Sequence, residues 1–126
     1  MRIILADHHP QPCWALKALL QEQPGFEIIG EAQEGKRLLT LAEKHHPDLV
    51  LLDSELPGLY FEDLIKGLHA LQPPPIVVAM SSESENSRKL LMAGADAFVS
   101  KTEEPDWLLE TLKKFESRAK KTNNIP

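Results

Sequence analysis

The chain has 126 residues, with 14 Lys and Arg against 19 Asp and Glu, a formal net charge of -5 and 42% apolar residues. Such a length and composition suit one globular domain closing a single core, with no room for a second domain beside it. The acidic balance argues against nucleic-acid binding by this chain itself, because phosphate affinity is supplied mostly by clustered Lys and Arg. The single cysteine, Cys13, cannot form an internal disulfide, and the N-terminal run MRIILADHHP is far too short for a signal peptide or a membrane span. A cytoplasmic protein with no membrane partner is expected, and Cys13, between Pro12 and Trp14, reads as a small buried thiol.

Five short apolar runs fall at Ile3 to Ala6, Glu27 to Ala32, Leu49 to Leu52, Ile76 to Ala79 and Ala97 to Val99. None alternates cleanly, which is the habit of strands buried on both faces of a parallel sheet. Between them lie helical periods. Gln11 to Gln23 spaces Cys13, Leu16, Leu19, Leu20 and Gln23 by threes and fours, with Pro12 in the first turn and Pro24-Gly25 ending the run. Lys36 to His45 carries Leu38, Leu41, Ala42 and His45 on one stripe before Pro47 stops it. Phe61 to Leu71 aligns Leu64, Leu68 and Leu71, and Ser87 to Ala93 forms a weaker helix ended by Gly94. Pro105 opens a fifth helix with Leu108, Leu112 and Phe115 on its stripe, before a polar tail from Lys120 to Pro126. The order is β-α five times over, which implies an α/β fold: a doubly wound parallel sheet with right-handed crossovers and helices on both faces. His45-His46 reads as a helix end on the surface. Trp14 and Trp107 read as helix packing residues, and Glu83, Glu85 and Glu103-Glu104 as a solvated acidic rim.

In an open sheet of this kind, ligands sit beyond the carboxyl ends of the strands. Those ends carry Asp7-His8-His9, Asp53-Ser54-Glu55, Ser81-Ser82 and Lys101. Singly, each has an ordinary structural reading as a cap, a turn or a solvated charge. Together they describe a chemistry: carboxylates to hold a hard divalent ion, a hydroxyl and a lysine to meet phosphoryl oxygens, and one carboxylate as nucleophile.

ILADHHP at the first strand, DLVLLDSELPG at the third, VVAMSS at the fourth and AGADAFVSK at the fifth together resemble the response regulator receiver (CheY-like) domain of two-component signalling. The resemblance covers residues 2 to 117, leaving a receiver domain over residues 1–119 and a tail or linker over 120–126, where Arg118, Lys120 and Lys121 lead into it. ILADHHP is similar to the first strand of receivers that precede LuxR/NarL-type helix-turn-helix domains. The resemblance implies a flavodoxin-like (βα)5 sheet in strand order 2-1-3-4-5. Asp53 is then the phosphoacceptor for a sensor histidine kinase or phosphotransfer protein, with Ser81 and Lys101 contacting the phosphoryl group. Mg²⁺ or Mn²⁺ is implied on Asp7, Asp53 and the Glu55 backbone carbonyl, with Ser81 and Phe98 as the switch pair. Homodimerisation is left open, and DNA is a partner only through an output domain of a longer parent.

His8 departs from this pattern, standing where the family's second acidic residue ligates magnesium. A unit charge about 4 Å from an ion is worth roughly 4 kcal/mol at an effective dielectric of about 20, and even about 1.4 kcal/mol is tenfold in affinity. Three readings stay open: a weakened Mg²⁺ site, a degenerate receiver binding partners without phosphate, or a different metal or a titrating cation at His8 and His9. The leading function is a phospho-switch rather than an enzyme. Its rivals are a phosphorylation-independent interaction module and a small phosphohydrolase, for which Glu55, two residues after Asp53, is a superficial match.

Overall fold

A computed structural model describes the backbone of residues 1–102 and 105–123, with side chains outside the described set at 10–13, 84, 105 and 117–123. The expected thiol at Cys13, the Glu103-Glu104 part of the acidic rim and the side chains of the tail therefore lie outside the described residues. In chain order the elements are β1 (Arg2–Ala6), α1 (Pro10–Gln21), β2 (Glu27–Ala32), α2 (Gly35–His45), β3 (Leu49–Asp53), α3 (Phe61–His69), β4 (Ile76–Ser81), a 3-10 turn (Ser84–Asn86), α4 (Ser87–Met92), β5 (Ala97–Ser100) and α5 (Pro105–Asn123). The strands form one five-stranded sheet in the order β2-β1-β3-β4-β5, every pair parallel. This is the parallel α/β sheet expected from the alternation of runs and periods, in the flavodoxin-like, CheY-like (βα)5 strand order that the resemblance implies.

The apolar runs lack visible alternation because both faces of the sheet are covered. Ile4, Ala6, Val50 and Leu52 point to one side, packing with Leu38 and Leu41 of α2 and Leu64, Ile65 and Leu68 of α3. Ile3, Leu5, Leu49 and Leu51 point to the other, against Leu20 of α1 and Leu108, Leu112 and Phe115 of α5. The period of two is present, but each phase meets its own apolar layer, so the sequence shows a solid block.

Several boundaries shift for identifiable reasons. β3 runs on to Asp53 and β4 to Ser81, because the parallel ladder continues past the apolar run: Asp53 pairs with Met80, and Ser81 with Ser100. α2 ends with His46 in the left-handed region at φ 48°, its N–H donating to the Ala42 carbonyl, and Pro47 follows. Gly94, at φ +120°, closes α4; a Cβ there would lie 2.7 Å from Ile65 Cγ2, so both backbone and packing demand glycine. The backbone of α5 continues to Asn123, into the segment expected to be tail.

Two expectations are corrected. Trp14 and Trp107 are not packing residues: they are 73% and 58% exposed. Trp107 directly precedes the buried Leu108, and a single residue step turns a helical side chain by about 100°, off the apolar stripe. Among the described residues, no helix is long and apolar enough to cross a membrane.

α5 is held chiefly by Leu108, Leu112 and Phe115, and Leu112 is fully buried. Leu112→Ala is expected to lower stability by about 2–5 kcal/mol, measured by urea unfolding. A loss under about 1 kcal/mol would show that this stripe does not anchor the helix.

Candidate functional site

β1, β3, β4 and β5 stand side by side and all point the same way, so their carboxyl ends deliver Asp7, Asp53, Ser81 and Ser100-Lys101 to one edge of the sheet. Ladder bonds beyond the strands hold them there: the Asp7 N–H donates to the Ala32 carbonyl at 3.0 Å, and the Lys101 N–H to the Ser81 carbonyl at 2.8 Å.

The same local device follows all four strands. A short polar side chain accepts a hydrogen bond from the backbone N–H two residues later: His9 to Asp7 Oδ1 at 2.9 Å, Glu55 to Asp53 Oδ1 at 3.0 Å, Glu83 to Ser81 Oγ at 3.0 Å and Thr102 to Ser100 Oγ at 3.2 Å. These are Asx and Ser/Thr turns, in which the side chain mimics the backbone of a turn. The bond orients one oxygen of each carboxylate and leaves the other, Oδ2, to Lys101, while Asp7 Oδ1 is met by the His9 ring as well. At Ser81 the hydroxyl oxygen is the acceptor, so its proton remains to be donated to an anionic oxygen.

Both carboxylates are buried, Asp7 fully and Asp53 at 2% exposure. Two such groups side by side repel, and burial penalises each charge. Lys101 answers both: its Nζ lies 2.9 Å from Asp7 Oδ2 and 3.2 Å from Asp53 Oδ2. Burial alone would push the Asp7 carboxyl up. The hydrogen bond from the His9 backbone, together with the hydrogen bond and charge of Lys101, outweighs it and holds Asp7 below the ordinary carboxylate value of 3.8.

The histidines come next. His8 Nδ1 sits 3.0 Å from Asp53 Oδ2, so the residue that breaks the sequence pattern touches the carboxylate at the centre of the site. His9 Nδ1 lies 3.1 Å from Asp7 Oδ1 and 3.6 Å from Asp53 Oδ2. The two rings are 3.9 Å apart. One ligating atom from each of Asp7, His8, His9 and Asp53 falls within 4.8 Å of every other, a cluster able to coordinate a metal ion.

A cleft beside the carboxylates is lined by His9, Asp53, Glu55, Ser82, Lys101 and Thr102. Glu55 is exposed, engaging Asp53 through its backbone N–H. Ser81 is buried under the 81–83 turn. Phe98 is half-buried against the α2 and α3 layer and borders a second cleft with Trp107 and Thr111. Thr102 escaped the reading of the sequence, although its two-residue spacing from Ser100 repeats that of the other three turns; its Oγ1 is 2.8 Å from Ser100 Oγ.

Removing the cation tests the electrostatics. Lys101→Met leaves two buried carboxylates uncompensated and is expected to cost about 3 kcal/mol at neutral pH. The pH dependence fixes the cause. In the native protein the contribution of Asp7 is fully present above 3.8 and is lost as pH falls through its lower folded value. In the variant the charged form is the penalised one, so the stability gap between the proteins should narrow as pH falls through this range. Chemical unfolding at a series of pH values measures it, and a constant gap would assign the loss to packing of the lysine stem.

The profile of the response regulator receiver domain family matches residues 3–113. Over 112 residues the chain is 34% identical to the nitrate/nitrite response regulator protein NarL of Escherichia coli K12, covering 87% of this chain and 52% of that protein. A nitrate/nitrite response regulator homolog of Haemophilus influenzae is 30% identical over 117 residues, covering 91% of this chain and 56% of its own length. The chain thus spans about half the length of the curated relatives it matches. In fold it is similar to the crystal structure of a LuxR-family DNA-binding response regulator from Staphylococcus aureus, with a TM-score of 0.81 at 23% identity over 90% of this chain and 97% of that one. The chain belongs to the response regulator receiver domain family of two-component signalling, and is of the CheY-like type found in LuxR/NarL-type regulators.

Proposed function

We propose that the domain is a phosphorylation-controlled signalling switch in which Asp53 accepts a phosphoryl group from a sensor histidine kinase or a phosphotransfer protein. The observation that carries this is the Asp53 carboxylate itself: buried at a strand end, facing the cleft through Oδ2, with Lys101 Nζ 3.2 Å away. In the transfer, a carboxylate oxygen of Asp53 bonds to phosphorus as the phosphorus–nitrogen bond of the donor phosphohistidine breaks, and the electron pair leaves with the imidazole. Lys101 stabilises charge on the phosphoryl oxygens, and Ser81 donates its hydroxyl proton to one of them. Drawing Ser81 toward the phosphoryl group frees space for Phe98, two ladder steps before Ser100, to turn inward and alter the face around β5 and α5. The domain acts on partners rather than as an enzyme. Action on DNA would need an output domain in a longer parent, and the switched face is where homodimerisation would be controlled.

The family resemblance assigns Mg²⁺ or Mn²⁺ to Asp7, Asp53 and the Glu55 carbonyl. The donors here suit Mg²⁺ poorly: two carboxylates remain, but imidazole nitrogens of His8 and His9 face them, whereas Mg²⁺ favours octahedral oxygen. The roles of Lys101 and Ser81 stand without it.

Intact-mass measurement after incubation with acetyl phosphate is expected to show one phosphate adduct, abolished by Asp53→Asn. No adduct over hours, with or without Mg²⁺, would leave the domain as a phosphorylation-independent interaction module. His8→Asp restores an oxygen donor and a charge, and is expected to raise Mg²⁺ affinity at least about tenfold in a calorimetric titration. Equal affinity in the two proteins would remove His8 as the cause of the mismatch.

A further inference from the structure

We infer that His8, His9, Asp7 and Asp53 form a binding site for a borderline first-row transition ion such as Zn²⁺, in place of the hard ion usual for the fold. Four ligating atoms, two nitrogen and two oxygen, already lie within 4.8 Å of one another. Zn²⁺ bound tetrahedrally at about 2.0–2.1 Å sets its ligand atoms about 3.3 Å apart. The separations here are 3.0 Å from His8 Nδ1 to Asp53 Oδ2, 3.1 Å from His9 Nδ1 to Asp7 Oδ1 and 3.6 Å from His9 Nδ1 to Asp53 Oδ2. These three bracket that spacing and every other pair lies within 4.8 Å, so the ligand atoms need close in by no more than about 1.5 Å to hold an ion.

The chemistry agrees with the geometry. Two carboxylates and two neutral imidazoles are a donor set that suits Zn²⁺, Co²⁺ or Ni²⁺, and the affinity order of divalent ions at nitrogen-containing sites favours these over Mn²⁺. The carboxylates form the floor, buried and held by their turns. The imidazoles form the lip, with side chains 31% and 46% exposed, which gives the ion a route from solvent. Lys101 is the opposing charge. At Asp7 it takes Oδ2 while His9 faces Oδ1, so the two sides of that carboxylate are divided between lysine and ion; at Asp53 Oδ2 the lysine must yield ground. Two carboxylates against one ammonium leave the site with one net negative charge before an ion enters.

A bound ion engages Asp53. With four protein ligands the shell of such an ion is closed, leaving no position for a phosphoryl oxygen, unlike an Mg²⁺ ion that keeps several waters. If Asp53 is the phosphoacceptor, a consequence resting on that reading, binding of this ion and phosphorylation exclude one another, and the site reports metal availability to the switch.

Calorimetric titration of the full chain, stripped of metal, with Zn²⁺ is expected to show a single tight site that excess Mg²⁺ does not displace. Co²⁺ should give the intense visible absorption of tetrahedral coordination. His8→Asn and His9→Asn are each expected to lower Zn²⁺ affinity at least tenfold with an unchanged circular dichroism spectrum, while the His45→Asn/His46→Asn pair leaves it unaltered. Retained affinity in both site variants, loss of the tight site in the His45/His46 pair, displacement by Mg²⁺, or an octahedral Co²⁺ spectrum would each overturn the site. Should a variant fail to fold, the Co²⁺ spectrum of the native chain decides the matter alone. The Zn²⁺-loaded and Zn²⁺-free proteins are then compared with acetyl phosphate, each with and without Mg²⁺. An adduct only without Zn²⁺ supports the exclusion, equal adducts refute it, and no adduct in either refutes the phosphoacceptor reading while the titration still judges the metal site.

Discussion

Two carboxylates buried side by side at the edge of a sheet are the constraint on which the rest of this domain is arranged. Like charges buried together are costly, and the compensation comes from the far end of the chain: Lys101 reaches Asp7 across 94 residues of sequence, from the end of the edge strand β5. The site therefore exists only when β1, β3, β4 and β5 are all in register. The apolar layers on either side of the sheet bring Asp7 and Asp53 together, and Lys101 makes the result tolerable. The arrangement uses the cation fully. With Nζ within 3.2 Å of both acids, there is one positive charge for two negative ones, and the imbalance is what makes the edge receptive to a further cation or to the partial charges of hydroxyl and imidazole donors.

A second constraint is local. Strands that end in a polar residue must turn at once into loops whose backbone N–H groups need acceptors. Here the terminal side chain supplies one at Asp7, Asp53, Ser81 and Ser100 alike. The functional groups are thus also the structural stops of their strands. This explains how the structural reading of an Asp or Ser at a strand end and its chemical reading can both hold: one lone pair is spent on the turn and the remaining oxygen or proton faces the cleft.

That double role also explains what was legible in the sequence. The fold could be read because buried parallel strands are solid apolar blocks and Pro24-Gly25, Pro47, Gly94 and Pro105 punctuate them. Strand ends were read short, since a polar residue such as Asp53 or Ser81 looks like loop until its ladder partners, Met80 and Ser100, are known. Trp14 and Trp107 were misassigned by residue type, although their phase relative to Leu20 and Leu108 already placed them off the buried stripes. At the site, residue types and their convergence were legible from the strand-end rule, but distances were not. The approach of His9 to Asp7 and Asp53 needed the turn that brings residue i+2 back over the carboxylate, and Thr102 needed the same turn after Ser100.

The histidine at position 8 is best understood through the charge it leaves out. Another carboxylate in its place would put three negative charges against Lys101 alone, an edge that favours a strongly bound dication. With imidazole at positions 8 and 9, the deficit falls to one, and ring nitrogens at 3.0 and 3.1 Å take up the oxygens that an ion would otherwise neutralise. The edge can then hold together without a hard metal, and the same nitrogens are the ligands that softer ions prefer. Dependence on Mg²⁺ and preference for a borderline ion are thus opposite consequences of a single choice, carboxylate or imidazole, at the residue after Asp7. That choice leaves the nucleophile, the lysine and the hydroxyl in place while changing which cation their neighbourhood admits.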